Sequence, residues 1–236
     1  MRLIKKFGLY IFAVLLFLDC FLDVYNLNSF RIYTTSILIP ILTLYYYTNN
    51  KRCKKRTTYL SVYVILLFAY LSDLFTLINK DVFEKPSDFI VKLILLLLII
   101  SAALYGILFG RMQKLRLKKC PEAFIVSLLT IPSAFIIYKF LNVVPIGGYK
   151  YPIILSMIVM ILVIAFAANI FQDKAKKSIA YENFIPGSIS LAISLAIMLV
   201  YQFLLKDVDF LPGVVTLTYG FGHMLMIRGF TRYLKT

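Results

Sequence analysis

The sequence predicts an all-α protein: a polytopic integral membrane helix bundle of about eight transmembrane helices, with both termini cytoplasmic. Three observations carry that expectation. The 236-residue chain is 61% hydrophobic, with a mean hydropathy of +0.86, whereas a soluble domain sits nearer half apolar. The apolar residues gather into eight runs close to the roughly 20 residues that cross a hydrocarbon core. The basic residues fall in short clusters between those runs, and the clusters alternate from side to side. No long polar stretch interrupts the pattern, so residues 1–236 read as a single transmembrane domain.

The runs cover 7–25, 32–48, 59–78, 88–110, 122–141, 151–171, 184–205 and 212–231. The first imitates a secretory signal ending in a lipid-modified cysteine. It continues past Cys20, however, and Asp19 stands where cleavage needs a small residue, so it reads as a retained helix. The second is short and holds Pro40, which predicts a kink. The breaks are rich in turn formers and charge: "YNLNSF", "NNKRCKKR", "NKDVFEKP", "RMQKLRLKKCP", "NVVPIGGYKYP", "QDKAKKS" and "KDVDFLP".

Charge placement sets the orientation. The N-terminal tail, loops 49–58, 111–121 and 172–183, and the C-terminal end carry 19 of the 26 Lys and Arg residues; the opposite side carries seven. That bias places the basic loops in the cytoplasm. The formal charge of +15 is therefore a topology signal, and no nucleic-acid partner is expected. Cys53 and Cys120 fall in basic loops and are expected as reduced thiols. Their spacing, with no nearby histidine, predicts no metal site. No G-x-S-x-G elbow, H-E-x-x-H, P-loop or G-x-G-x-x-G occurs, and no cofactor is expected.

The informative residues are the polar ones inside the runs. Asp73, in "LLFAYLSDLFTL", lies ~21 Å from the cytoplasmic start of its run at 1.5 Å per residue. A charge at such depth costs at least roughly 2.5–3.5 kcal/mol. It therefore needs a proton, a partner or a function. One reading is a buried acid/base, the other a hydrogen bond between helices. Asp19 and Asp23 are four apart and share a helix face; Asp23 is near enough to the interface to reach water. His223 is the sole histidine, with Tyr219 one turn before it and Gly220 and Gly222 beside it. It could relay a proton or make one interhelical bond. Ser194 carries little information alone, because serines in membrane helices commonly bond back to backbone.

Several segments resemble the YhhN family of eight-helix membrane proteins, which includes the lysoplasmalogenases. "YTTSILIPILTLYY" (33–46) is similar to the family's second helix, with Thr35, Ser36 and Ile37 where Lys-Pro-Leu is usual. "LLFAYLSDLFTL" (66–77) resembles its Gly-Asp or Ser-Asp segment and retains Asp73. "ISAALYGI" (100–107) resembles a His-x-x-Tyr segment, with Tyr105 retained and Ala102 in the histidine position. Residues 145–171 resemble the sixth helix. "PGSISLAISLAIMLVYQF" (186–203) tracks a Gly-x-x-x-Phe-x-x-Ser-Asp segment, with Gly187, Ser194 and Phe203 retained. Leu191 replaces its Phe and Leu195 its aspartate. "TLTYGFGHMLMIRG" (216–229) resembles the last helix, with Thr218, Tyr219 and Gly229 retained and His223 where Gln is usual.

The resemblance implies hydrolysis of the vinyl-ether bond of a lysoplasmalogen, releasing an aldehyde and a glycerophospho-headgroup. That reaction needs an acid to protonate the vinyl carbon and a base to activate water. On this reading Asp73, His223 and Asp19 are the candidate catalytic groups, and Tyr219, Tyr105 and Ser194 the substrate-binding ones. Membrane lipids, a lysophospholipid among them, are the expected partners, and a bacterial inner membrane the expected location. Two other readings stand beside it: a non-catalytic lipid-binding relative, and a small proton-coupled transporter in which Asp19, Asp73 and His223 handle protons. Orientation is testable directly. In whole cells an impermeant thiol reagent should leave Cys53 and Cys120 unmodified, and rapid labelling of either would reverse the topology.

Overall fold

The computed structural model describes residues 2–25, 27–51, 55–78, 88–114, 135, 139, 147–203, 205, 208 and 210–235. Among them are seven long helices: α1 (Arg2–Val24), α2 (Asn28–Asn50), α3 (Arg56–Ile78), α4 (Asp88–Met112), α5 (Lys150–Asn169), α6 (Ile185–Phe203) and α7 (Leu211–Tyr233). Short 3-10, α and π turns link α5 to α6 between Ile170 and Phe184. Apart from Phe135 and Lys139, the expected span at 122–141 lies outside the described residues, as do Cys53 and Cys120. The fold is all-helical among the described residues. α2 is longer than expected and continues through Pro40.

Five of the described helical stretches are long and apolar enough to cross a membrane: 3–24, 56–77, 89–112, 150–172 and 177–202. α2 and α7 are as long, but they carry Arg31, Thr34, Thr35, Thr216, Thr218 and His223. In hydrocarbon, every backbone polar group must be paired within its own segment, which is why so much of the chain is helical. Side-chain pattern then decides which way each helix faces. On α1, Phe12, Leu16, Asp19 and Asp23 are buried at three- and four-residue intervals, whereas Tyr10, Val14, Phe17 and Phe21 are exposed on the opposite side.

Each long helix packs on the next described one, and α7 returns to pack on α1 and α6, so the seven close into a ring. One half is filled. Phe109, Phe184 and Phe230 are buried in mutual ring contact, and Tyr105 stacks on Phe109 and Phe230 with centroids 6.4 and 5.9 Å away. At that end Lys55 donates to the Tyr233 carbonyl at 3.0 Å, and Lys176 to the Met112 carbonyl at 3.1 Å. The last carbonyls of α7 and α4 thus gain cationic caps. Burial, and then the charge of Lys176, hold the Lys55 ammonium below the ordinary lysine range.

Glycines let α7 approach its neighbours. A Cβ on Gly220 would come within 2.3 Å of Leu16 Cδ1, and one on Gly222 within 2.6 Å of Leu191 Cγ. Small residues allow this closeness, and dispersion contacts reward it where lipid offers no hydrophobic drive. Gly106 differs, since a Cβ there would meet Val163 at an ordinary 3.5 Å. Gly222→Ala should therefore be less stable than Gly106→Ala by roughly the 1–3 kcal/mol of an overpacked core. Helix propensity cancels in that comparison, and thermal midpoints in detergent measure it.

Candidate functional site

The other half of the ring, away from the basic loops, encloses a cavity of about 170 Å³. It is lined by the C-terminal halves of α1, α3 and α6 and the N-terminal halves of α2, α4 and α7. Two walls differ in character. α4 and α6 present Val91, Ile94, Leu95, Leu98, Leu191, Leu195, Met198 and Leu199. α1, α2, α3 and α7 present Asp19, Asp23, Arg31, Thr35, Asp73, Thr216, Tyr219 and His223.

Asp19, Asp73, His223, Tyr105, Tyr219 and Ser194 all line this cavity. His223 and Tyr105 form its floor, where the Tyr105 hydroxyl lies 3.1 Å from His223 Nδ1, and both residues are buried. The Tyr219 ring meets the His223 ring edge-on, with centroids 4.5 Å apart. Asp73 is half-buried, borders the Tyr219 hydroxyl and is close enough to Asp19 and Arg31 to feel their charges. Although it lies beside Asp73, the buried Tyr219 hydroxyl closes no hydrogen bond of good geometry. Ser194 Oγ donates to the Val215 carbonyl at 3.0 Å, and Ser190 Oγ to the Thr218 carbonyl at 2.7 Å. These serines tie α6 to α7, where the expectation was a bond back to the serine's own helix.

Arg31 is the site residue that sequence reasoning missed. Counted as a charge of the loop before α2, it instead turns inward and hydrogen-bonds Asp23. It also donates to Thr216 Oγ1 at 3.1 Å, and Thr216 donates to the other Asp23 oxygen at 3.1 Å. Arg31 Nε lies 3.8 Å from Asp19 Oδ2. Asp19 Oδ1 accepts from Thr34 and, at 2.7 Å, from Thr35. The signal was present: two acids four apart on one helix, followed within eight residues by an arginine with Thr34 and Thr35 one turn on. Asp23, expected near water, is only 6% exposed.

A closed ring of apolar helices around a cavity that holds buried acids marks an integral membrane protein. Sequence comparison gives the lineage. A family model for the YhhN family matches residues 30–230, and the chain belongs to that family. No curated protein and no solved structure matches it.

The Arg31 cluster has a measurable consequence. Removing one partner of a buried ion pair costs roughly 3–5 kcal/mol, because the remaining charge is stranded. Arg31→Met should lower the thermal midpoint of the purified protein sharply. Arg31→Met with Asp23→Asn should recover part of the loss, since Asn at 23 strands no charge.

Proposed function

We propose that the cavity binds a lysophospholipid and that any vinyl-ether hydrolysis there is slow. The observation that carries this reading is the pairing of Asp73 with Leu195 in one mostly apolar cavity. A convergent carboxylate in an apolar chamber suits an amphiphile with one acid-labile bond. Leu195 can neither give nor take a proton. Volume limits what enters: a cavity of roughly 150 Å³ accommodates benzene, so about 170 Å³ takes only a segment of a lysolipid. The reacting segment sits beside Asp73, and the rest of the molecule projects beyond the chamber.

In the family reaction, a proton is added to the vinyl carbon distant from the ether oxygen. Water then attacks the other vinyl carbon, and the hemiacetal collapses to aldehyde and alcohol. Asp73 is positioned to supply the proton. His223, held by Tyr105 on the floor, is the candidate to take a proton from water, and Asp19 the second. A lipid-binding relative without activity is the other outcome this geometry accommodates.

The test is aldehyde release from lysoplasmalogen by purified protein, beside Asp73→Asn and Leu195→Asp. One general acid–base group is worth typically ~10²–10⁴-fold. Wild type should be slow, Asp73→Asn slower still, and Leu195→Asp faster if helix α6 tolerates the buried carboxylate. Brisk turnover that survives Asp73→Asn would reject the site.

A further inference from the structure

Arg228 stands apart from the cations around it at the basic end of the ring. Lys55 and Lys176 are spent on helix-end carbonyls. Arg232 is bonded to Glu182 and Ser178, and Lys235 donates to Asn49 Oδ1 at 3.4 Å. Arg228 is exposed and forms no ion pair or hydrogen bond with a described residue. Glu182 is near enough to feel its charge, but already accepts from Arg232 and, at 2.7 Å, from Ser178. Arg228, Arg232 and Lys235 against Glu182 leave this corner net positive. Depth matters as much as charge. Arg228 lies five residues before Tyr233, the last residue of α7, or ~8 Å at 1.5 Å per residue. Met224 and Phe221 precede it on the same face by one and two turns, and Phe221 packs edge-on against Phe17 of α1. A guanidinium so placed is level with the inner edge of the headgroup layer. An unpaired charge is costly there, and a long side chain can reach the lipid phosphates.

We infer that Arg228, with Tyr45 beside it, forms a surface site for the phosphate of an anionic bilayer phospholipid. The chemistry selects that partner in three steps. A guanidinium is a fixed fork of five donors that matches two phosphate oxygens at once. Tyr45, half-buried on α2 where Gly8 of α1 lets it pack closely, is near enough to feel the charge of Arg228 and adds a hydroxyl. The apolar turns of Phe221 and Met224 above the guanidinium give acyl chains a surface, which a free phosphate would leave uncovered. The headgroup follows from the surrounding charge. An amine headgroup would bring a cation into a net-positive corner whose carboxylate, Glu182, is already bonded to Arg232. A glycerol headgroup leaves the phosphate charge uncancelled and brings no cation. The site lies on the outer face of the bundle, toward the basic loops, and stands whether or not the cavity turns over a lysolipid.

The experiment titrates purified protein in neutral detergent with dioctanoyl phosphatidylglycerol, dioctanoyl phosphatidylcholine or inorganic phosphate, following the thermal midpoint. Phosphatidylglycerol should raise it saturably while the other two do not. Losing a hydrogen bond to a charged group is worth about tenfold or more in affinity, so Arg228→Gln should weaken the phosphatidylglycerol response by that factor. Arg228→Lys keeps the charge and removes the fork, and should weaken it less. It also keeps the test decisive if the glutamine variant fails to fold. Arg111→Gln, an exposed arginine in the last turn of α4, should leave the titration unchanged. Equal responses to the two lipids would overturn the selection of an anionic headgroup. A response to inorganic phosphate at the same concentrations would make the ligand a free anion and overturn the lipid assignment. Affinity unchanged in the Arg228 variants, or lowered as much by Arg111→Gln, would overturn the site and leave only diffuse surface charge.

Discussion

The ion cluster of Asp19, Asp23 and Arg31 is the constraint around which the rest of the structure is arranged. Two carboxylates on α1 cannot sit inside a bundle without a cation. Among the described residues, the cation that reaches them is at the start of α2. Thr216 completes the cluster from α7, so three helices are fixed to one another at one level. α1 and α7 are far apart in sequence and must meet for the ring to close. The cluster supplies polar fixation at the cavity end of that seam. Gly213 and Gly220 supply closeness along it, because a side chain at either would overlap Val24 or Leu16. Ring closure creates the cavity, and the cavity keeps Asp73 away from lipid.

The two halves of the ring divide the work. Toward the basic loops, stacked phenylalanines and capped helix ends make a solid core. In the other half, substitution of small or polar residues for bulky ones leaves space: Ala102, Ser101 and Ser72 face the interior there. Stability and site are thus built from successive turns of the same helices. α4 shows the change within its own length, since Tyr105 roofs the aromatic stack on one side and floors the cavity on the other.

What was legible in the sequence was what depends on local pattern. Run length and hydropathy gave the helical class, because burial in lipid permits little else. Depth along a run gave the inward placement of Asp73. Convergence of residues from separate helices was not legible. Nothing local to Arg31 says that it turns inward: an arginine just after a turn-forming segment is usually a snorkelling interface residue. Only the assembled ring reveals that the acids of α1 need it. Asp23 was misjudged for the same reason, since depth alone put it near water and its partner pulled it in. The span at 122–141 remains as the sequence reads it, outside the described residues. Thr35 bonds Asp19 at 2.7 Å, and Arg31, one turn earlier on α2, approaches the same acid.

The stacked floor sets a limit on traffic. A carrier must expose its binding site to each side of the membrane in turn. Here the way toward the basic loops is closed by Tyr105, His223, Phe109, Phe230 and Phe184, which are buried and in ring-to-ring contact or hydrogen-bonded. Opening it would mean parting a buried aromatic layer and exposing it to water. Among the described residues, the chamber is thus floored on that side by aromatic rings.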